Sequence, residues 1–133
     1  YDGGHRVPFF VHWPAGGLIG GRDVEPLTAH VDVLPTLIDL CRPAFSKTQN
    51  KLDGDSLGPL LRTGVSREED VAISYWNDAI SVRDRDHRLV YNKKTKVSKL
   101  YDLSVDSDNP IDSAEESPDI VNRLEAAILE SSK

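Results

Sequence analysis

The sequence predicts an α/β chain, more closely an α+β fragment, made of two parts. Residues 1–66 combine apolar runs, glycine-rich loops and an amphipathic helix pattern, as at the end of an α/β layer. Residues 67–133 hold four short β-branched or aromatic runs and then a second amphipathic helix pattern. This second part therefore predicts a small antiparallel sheet packed with a C-terminal helix, and we place the boundary after residue 66.

Two strands and a loop are expected at the start of the first part. Residues 7–13 (VPFFVHW) form a short apolar run bounded by glycine-containing segments, which predicts a buried strand. Residues 14–21 are rich in glycine and predict a loop. Residues 25–30 favour a second short strand.

A helix and a short helical turn complete the first part. Residues 31–41 (VDVLPTLIDLC) predict a helix that Asp32 N-caps, with Pro35 in its first turn. Its apolar residues recur at the spacing of one buried helical face, which comprises Leu34, Leu37, Ile38 and Cys41. Residues 55–64 (DSLGPLLRTG) predict a helical turn that Gly64 closes. The residues of that turn expected to face inward are Leu57, Leu60 and Leu61.

The second part is expected to contain four strands and a helix. The runs that predict the strands are VAISYW, AISVRD, HRLVYNK and LYDL. The helix begins after Ser117, a suitable N-cap, with Pro118 at its first position and Asp119 near the positive end of the helix dipole. Its predicted buried stripe comprises Ile120, Leu124, Ala127 and Ile128.

The composition narrows the classes of function. The formal net charge of −6 argues against a general nucleic-acid binder, so no nucleic-acid partner is expected. No apolar run approaches the ~20 residues of a membrane-spanning helix, so no membrane partner is expected either. Cys41 is the only cysteine, which rules out a disulfide within the chain. Because the chain holds no methionine, we expect it to be a processed or cut part of a longer protein.

Three residues are candidates for contact with a substrate. His5 follows a glycine pair in a loop that leads into a predicted strand, and such loops carry the sites of α/β folds. Trp76 and Asn77 lie at the end of a predicted strand, where an indole ring can stack on a sugar. His12 and His30 lack the spacing of metal ligands, so we interpret both as structural and expect no metal ligand in this chain.

Two charged runs have a plain interpretation and a functional one. The acidic run around Asp106 is similar to a calcium loop but has Ile111 where the turn needs glycine and Ser117 where the loop needs glutamate, which favours a solvated loop. The basic run favours a solvated hairpin, and the sharper hypothesis is a patch for an anionic polymer such as a sulfated glycan. The basic run comprises Arg83, Arg85, Arg88, Lys93, Lys94, Lys96 and Lys99.

Five segments in order resemble the C-terminal part of the sulfatases, the formylglycine-dependent sulfuric ester hydrolases of the alkaline-phosphatase-like superfamily. Residues 1–9 (YDGGHRVPF) resemble the family's Y-E-G-G-x-R-V/E-P segment, and residues 13–16 (WPAG) resemble its W-P-G ending. Residues 31–37 (VDVLPTL) resemble its D-l-x-P-T-l helix. Residues 52–61 (LDGDSLGPLL) resemble its D-G-x-S-L-x-P-L-L segment, and residues 99–103 (KLYDL) its E-L-Y-D-L segment.

The resemblance covers nearly the whole chain and implies a function for the full-length relative. That relative would hydrolyse the sulfate ester of a small molecule or a glycan, with formylglycine as nucleophile and calcium as the divalent cation. In the family, the formylglycine, the metal-binding Asp–Asn pair and a sulfate-contacting lysine all lie upstream of the Y-E-G-G segment. The resemblance therefore implies no catalytic residue here, an inactive isolated chain, and a periplasmic or secreted location. It also implies an alkaline-phosphatase-like α/β domain whose tail is residues 1–66, with His5 on the substrate side of the pocket.

The sequence Cys41-Arg42-Pro43-Ala44-Phe45 is similar to the Cys-x-Pro-Ser/Ala-Arg pentapeptide in which sulfatases form formylglycine. Phe45 stands where that pentapeptide has arginine. Because Cys41 continues the apolar face of its predicted helix, we interpret it as a small buried hydrophobic residue.

Two alternatives remain open from the sequence. The C-terminal motifs also fit another hydrolase of the superfamily, such as a phosphodiesterase or a phosphonate hydrolase, and the nucleophile upstream would decide between these enzymes. The other alternative is a non-catalytic glycan-binding module that uses the basic run.

Overall fold

The computed structural model describes residues 7–41, 51–65, 71–104 and 111–131. The described residues fall into two compact units. The first unit lies within Pro8–Asp70, and the second comprises Val7 and the described residues from Val71 onward. No helix in the described ranges is long and apolar enough to cross a membrane.

The second unit is built on a four-stranded antiparallel sheet whose strands are neighbours in chain order. The strands are β1 (Ala72–Trp76), β2 (Ala79–Arg83), β3 (His87–Asn92) and β4 (Val97–Asp102). Each pairs with the next through a tight hairpin turn. The predicted small antiparallel sheet is therefore confirmed.

A helix of 14 residues, α3 (Pro118–Ser131), covers one face of this sheet and completes its core. Leu124 is fully buried and Ile128 is 7% exposed, as the predicted stripe requires, while Ile120 and Ala127 pack at the margin. Burial of one leucine side chain contributes about 1.5–3 kcal/mol, so a handful of such residues accounts for the cohesion of the unit. The buried cluster comprises Ile80, Val82, Leu89, Leu100, Leu124 and Ile128.

Asp84 fastens the turn between β2 and β3 to α3. Its Oδ1 accepts hydrogen bonds from the backbone N–H groups of Asp86 (2.9 Å) and His87 (2.6 Å), and its Oδ2 accepts one from the Arg123 guanidinium. The side chain is only 13% exposed. Burial raises the pKa of the Asp84 carboxyl, but the hydrogen bonds from Arg123, His87 and Asp86 outweigh it, so the pKa lies below its ordinary value.

The first unit contains two helices, α1 (Val33–Cys41) and α2 (Gly58–Thr63). A 3-10 turn, His30–Asp32, leads into α1. As predicted, a short helical turn buries Leu57 and Leu60 and ends at Gly64, whose N–H donates to the Leu60 carbonyl oxygen (2.9 Å).

A set of buried hydrogen bonds, which we name the α1 clasp, joins the start of α1 to residues 54–58. Asp32, 2% exposed, accepts hydrogen bonds from the N–H groups of Ala29 (2.9 Å) and Asp55 (3.0 Å). Thr36, 3% exposed, donates from its hydroxyl to the Asp32 carbonyl oxygen (2.6 Å) and accepts from the Leu57 N–H (2.8 Å). Asp32 thus stands immediately before α1, as predicted, but these bonds of its carboxylate go to residues outside the helix.

Further along α1, a second pair of contacts extends the clasp. The Ser56 hydroxyl donates to Asp39 Oδ2 (2.8 Å) and accepts from the Gly58 N–H (2.9 Å). A Cβ at Gly58 would lie 2.1 Å from Asp39 Oδ2, and one at Gly54 would lie 2.4 Å from the Val31 carbonyl oxygen. Glycine is therefore required at position 54, because the Val31 backbone leaves no room for a side chain. At position 58 a side chain would displace the Asp39 carboxylate from its bond to Ser56.

The predicted strand over residues 7–13 is wrong. No strand forms among the described residues before α1, where the single bridge joins Trp13 to Leu18, and Val7 and Phe10 are 74% and 89% exposed. The strand predicted at residues 25–30 is also wrong, since this segment is irregular and ends in the 3-10 turn. The physical reason is the same in both cases. A strand needs a paired neighbour to satisfy its backbone, and apart from the Trp13–Leu18 bridge no described segment pairs with either.

The predicted buried face of α1 is wrong as well. Leu34 and Leu37 are 55% and 52% exposed and Cys41 is exposed, so Cys41 is not the buried hydrophobic residue we expected. The buried positions are Thr36 and Leu40, one helical turn apart. The α1 clasp determines which face of α1 is buried. The hydrogen bonds of Thr36 hold the face that carries Thr36 against residues 54–58.

Replacing Thr36 with valine is expected to destabilise the first unit by about 1–3 kcal/mol, because the buried Leu57 N–H loses its acceptor. The measurement is urea unfolding followed by Trp13 fluorescence in a Trp76→Phe background. Thr63→Val is the matched control, since the Thr63 hydroxyl bonds to Pro59 at an exposed site. Equal midpoints for the two variants would show that the clasp does not hold the unit together.

Replacing Asp84 with asparagine is expected to lower the unfolding free energy of the second unit at pH 7 by at least about 1 kcal/mol, since charged hydrogen bonds to Arg123 and to the turn are lost. A lowered carboxyl pKa stabilises the fold above its unfolded value of about 3.9, and that stability is lost as pH falls through the folded pKa. Urea unfolding at several pH values between 7 and 2 should therefore show a smaller acid loss for Asp84→Asn.

The exposed neighbour Asp86 gives the control for this experiment. Asp86→Asn should keep both the stability at pH 7 and the acid loss of the unmodified chain. If both variants retained the full acid loss, Asp84 would not be its source.

Candidate functional site

Two turns meet at one end of the sheet. One is the β1–β2 turn at Asn77 and Asp78, and the other is the β3–β4 turn at residues 93–96. The Lys93 N–H donates to the Asp78 carbonyl oxygen (2.7 Å), and Lys94 Nζ lies 2.6 Å from Asp78 Oδ2. These contacts hold the turns together. We name the surface formed by Trp76, Asn77, Asp78, residues 93–96 and Val97 the hairpin-end surface.

Trp76 is the most prominent side chain of the hairpin-end surface. It is the last residue of β1 and is 77% exposed. The preceding residue, Tyr75, points to the α3 side, where its hydroxyl lies 3.0 Å from Ser131 Oγ. Because side chains alternate along a strand, Trp76 lies on the outer face of the sheet, the face opposite α3.

A row of four paired residues crosses the outer face at this end. Trp76 pairs with Ala79, Ala79 with Asn92, and Asn92 with Val97. With neighbouring strands about 4.8 Å apart, the row is about 14 Å wide. It carries an exposed indole at one edge of the sheet and an exposed valine at the other, with a small side chain beside the indole.

Asn77 has a clear structural role. Its φ is 49°, in the left-handed region that asparagine adopts more readily than most residues. The turn therefore accounts for an asparagine at this position. Contact between Asn77 and a substrate stays a prediction.

The β3–β4 turn presents lysines from a preformed backbone. Asn92 Oδ1 accepts hydrogen bonds from the N–H groups of Lys94 (2.9 Å) and Thr95 (3.0 Å), and the Asn92 carbonyl oxygen accepts one from Lys96 (2.8 Å). All four turn residues are exposed. Lys96 Nζ lies 5.9 Å from the ring centroid of Tyr91, within the range of a cation–π contact.

The sheet divides the remaining members of the basic run. Arg83 and Arg88 are half-buried and directly paired across β2 and β3, on the outer face. Lys99 shares that face, with its Nζ 3.9 Å from Asp112 Oδ2. Arg85 lies in the turn at the opposite end of the sheet. Only the lysines of residues 93–96 therefore belong to the hairpin-end surface.

The acidic side chains that the structure describes near β4 bond to the backbone. Asp112 Oδ1 accepts hydrogen bonds from the N–H groups of Leu100 (3.1 Å) and Ala114 (3.2 Å), and Asp102 Oδ1 accepts one from Ser104 (2.8 Å). Asp106 and Asp108 lie outside the described residues. Within the described ranges, no group of three or more His, Cys, Asp or Glu side chains could hold a metal ion.

Two further predicted features fall partly or wholly outside the described residues. His5 is one, so its place relative to Trp76 stays a prediction. Of the pentapeptide that begins at Cys41, only Cys41 is described. His12 and His30 are described, and both are exposed residues of the first unit. Within the described ranges neither belongs to a group of side chains that could hold a metal ion.

Sequence reasoning placed Trp76 at the end of a strand but did not predict its surroundings. The tie between Asp78 and Lys93 depends on strand register, which the sequence pattern did not fix. One signal was available, since Asn-Asp and Asn-Lys-Lys-Thr-Lys both predict turns, and two turns separated by two strands lie at the same end of a meander.

Comparison with known proteins identifies relatives of this chain by sequence. No protein-family model matches it. It is 41% identical over 69 residues to the steryl-sulfatase of Rattus norvegicus, a match that covers 52% of this chain and 12% of that protein. It is 32% identical over 111 residues to the choline-sulfatase of Rhizobium meliloti, covering 80% of this chain and 21% of that protein. The chain thus spans about a fifth or less of the length of these relatives.

The fold comparison agrees with the sequence comparison. The structure of a 2-O GAG sulfatase superposes with a TM-score of 0.56 at 22% identity, over 84% of this chain and 27% of that protein. This likeness shows the fold, so the expected mixed α/β architecture of the sulfatases is confirmed. Both the sequence relatives and the structural neighbour are sulfatases, and the chain belongs to the sulfatase family.

Proposed function

We propose that this chain is the C-terminal part of a sulfatase and that the whole protein hydrolyses a sulfate ester. The observation that carries the proposal is the match of 80% of the chain to a choline-sulfatase at 32% identity. The steryl-sulfatase match, at 41% identity, gives independent support. Because the chain spans only 12% and 21% of these proteins, the catalytic activity is a property of the longer protein.

Exposed apolar side chains in the first unit support the view that more protein packs against it. Phe10 is 89% exposed, and Leu34 and Leu37 on α1 are more than half exposed. Leu34 and Leu37 are three residues apart on α1 and so lie side by side, and adjacent exposed apolar side chains favour contact with further protein. The sequence pattern of α1, with its apolar spacing on the same side, favours burial of this face in the complete enzyme.

The proposed cofactors of the whole enzyme are formylglycine and calcium, as the resemblance to the sulfatases implies. The side chains described here do not fit a calcium site, so we assign no step to calcium within this chain. Our proposal assigns both groups to residues outside the chain. The contribution of the chain itself is to line the approach to the pocket, through His5, Trp76 and Asn77.

The activity test compares two proteins with 4-nitrophenyl sulfate as substrate. The full-length protein is expected to release 4-nitrophenol at a rate well above that of the uncatalysed reaction, and the 133-residue chain is expected to release none. Absence of turnover by the full-length protein would argue against sulfatase function. Turnover by the isolated chain, after a second purification has removed contaminating enzyme, would show that the chain holds a catalytic site.

The packing test replaces both Leu34 and Leu37 with serine. In the isolated chain the unfolding free energy should change by less than about 0.5 kcal/mol, because both side chains are more than half exposed. In the full-length protein the same double substitution should cost about 2–5 kcal/mol for each leucine, as for buried leucines. The measurement is urea unfolding of both proteins.

The control for the packing test is Leu40→Ser, which should destabilise both proteins because Leu40 is already 9% exposed in the chain itself. An equally small effect of the double substitution in both proteins would mean that this face of α1 stays exposed in the enzyme.

A further inference from the structure

We propose that Asp53 is a site of spontaneous isomerisation to isoaspartate and that the α1 clasp controls this modification. The reaction proceeds only while the clasp is open, and its product prevents the clasp from closing again. The inference concerns the first unit alone and does not depend on the catalytic activity proposed above. It follows from the chemistry of the Asp53–Gly54 bond and from the contacts that hold Gly54 in place.

Asp53 and Gly54 supply both reacting groups. The Gly54 backbone nitrogen attacks Asp53 Cγ, an N–Cγ bond forms, and a carboxyl oxygen leaves as water together with the proton of that nitrogen. Water then adds to one of the two carbonyl groups of the resulting succinimide ring. Addition at the main-chain carbonyl breaks the original peptide bond, so the chain continues through Cγ as isoaspartate. One water is released and one is consumed, and the reaction needs no other reactant.

The surroundings of Asp53 leave its carboxyl available for this reaction. The residue is exposed, and its carboxyl makes no hydrogen bond or ion pair with any residue that the structure describes. Gly54 has no Cβ that would obstruct the approach of its nitrogen to Cγ. Asp53 is also the only aspartate within the described ranges that is followed by glycine. These features single out one bond of the described chain.

The closed clasp prevents the movement that ring closure requires. A Cβ at Gly54 would lie 2.4 Å from the Val31 carbonyl oxygen and 2.7 Å from the Asp32 nitrogen, so the backbone cannot shift toward α1. The next N–H group, that of Asp55, donates to the buried Asp32 carboxylate (3.0 Å). Ring closure turns the Gly54 nitrogen toward the Asp53 side chain and changes the direction of the chain at both residues. The clasp must therefore open locally before the ring can form.

The product does not fit the closed clasp. The main chain of isoaspartate runs through Cβ and Cγ, which lengthens the path to the Gly54 nitrogen by one C–C bond of about 1.5 Å. A change of that size cannot be accommodated where a single added Cβ already meets backbone atoms. The N–H groups that follow, those of Asp55 and Leu57, then lose their buried acceptors, which destabilises the first unit. The modification therefore keeps the clasp open.

The rate of isomerisation should report how often the clasp opens. When opening and closing are fast compared with the chemical step, the observed rate equals the rate in the unfolded chain multiplied by the open fraction. A substitution that raises the open fraction tenfold should therefore raise the rate tenfold.

The experiment incubates the 133-residue chain in water labelled with a heavy oxygen isotope, in native buffer and in guanidinium chloride. Mass spectrometry of the peptide that contains Asp53 detects the labelled oxygen, and chromatography separates the isoaspartyl form from the aspartyl form. The rate should be at least about tenfold lower in native buffer than in denaturant. Thr36→Val should raise the native rate about tenfold, because loss of the bond to the Leu57 N–H favours the open clasp.

Two control variants separate the chemistry from the clasp. Asp53→Glu should abolish label uptake at this position in both solutions, because ring closure would have to form a six-membered ring. Thr63→Val removes an exposed hydroxyl in the same unit and should leave the native rate within about twofold. If circular dichroism shows that Thr36→Val does not fold, the unmodified chain is measured at denaturant concentrations below its unfolding transition. Its rate should then rise with denaturant concentration.

Each part of the inference has an outcome that would overturn it. Absence of the labelled isoaspartyl peptide in denaturant would show that Asp53 does not isomerise. Equal rates in native buffer and in denaturant would show that the clasp does not control the reaction. The isoaspartyl chain, isolated by ion-exchange chromatography, should unfold at a lower urea concentration when followed by Trp13 fluorescence in the Trp76→Phe background. An unchanged midpoint would show that the product fits the clasp.

Discussion

The first unit depends on the buried carboxylate of Asp32. Its two oxygens accept N–H groups from Ala29 before α1 and from Asp55 in a segment distant in sequence, and Thr36 one turn later continues the same network. A buried carboxylate is tolerable only when it is fully hydrogen-bonded, so these partners and their backbone positions are fixed together. The two sequence segments that resemble separate sulfatase motifs are therefore the two sides of one contact. Its tightness explains the glycine at position 54, where a Cβ would meet the Val31 carbonyl oxygen.

The second unit was predictable from sequence because its structure is local. Its strands follow one another through short turns. Buried residues recur along the helix at helical spacing, so the stripe that contains Leu124 could be identified from the sequence of the helix alone. In the first unit the helices were predicted but the buried face of α1 was not. Apolar spacing indicates that residues prefer burial, but it does not indicate which surface buries them. Leu34 therefore lies exposed although its spacing predicts burial. Trp76 was found as a strand end, but the contact between Asp78 and Lys93 required the register of the whole sheet.

Polar contacts around the core fix α3 on the sheet. Arg123 bonds to Asp84 at one end, the Ser98 hydroxyl donates to Glu125, and Tyr75 meets Ser131 at the far end of the helix. With anchors along its length, α3 has one register on the sheet. These contacts therefore hold α3 and the strands that end in the hairpin-end surface in one arrangement.

The exposed thiol of Cys41 at the end of α1 has a practical consequence. Since no other cysteine exists in the chain, a maleimide dye reacts at one defined position of the first unit. Trp76 provides an intrinsic fluorescent donor in the second unit. Energy transfer from the indole to a dye on the thiol would then report the distance between the units in solution. Only Trp13 would have to be replaced for this measurement, because Trp76 and Cys41 are already present as the donor and the labelling site. The distance between the two units could thus be followed with a single substitution.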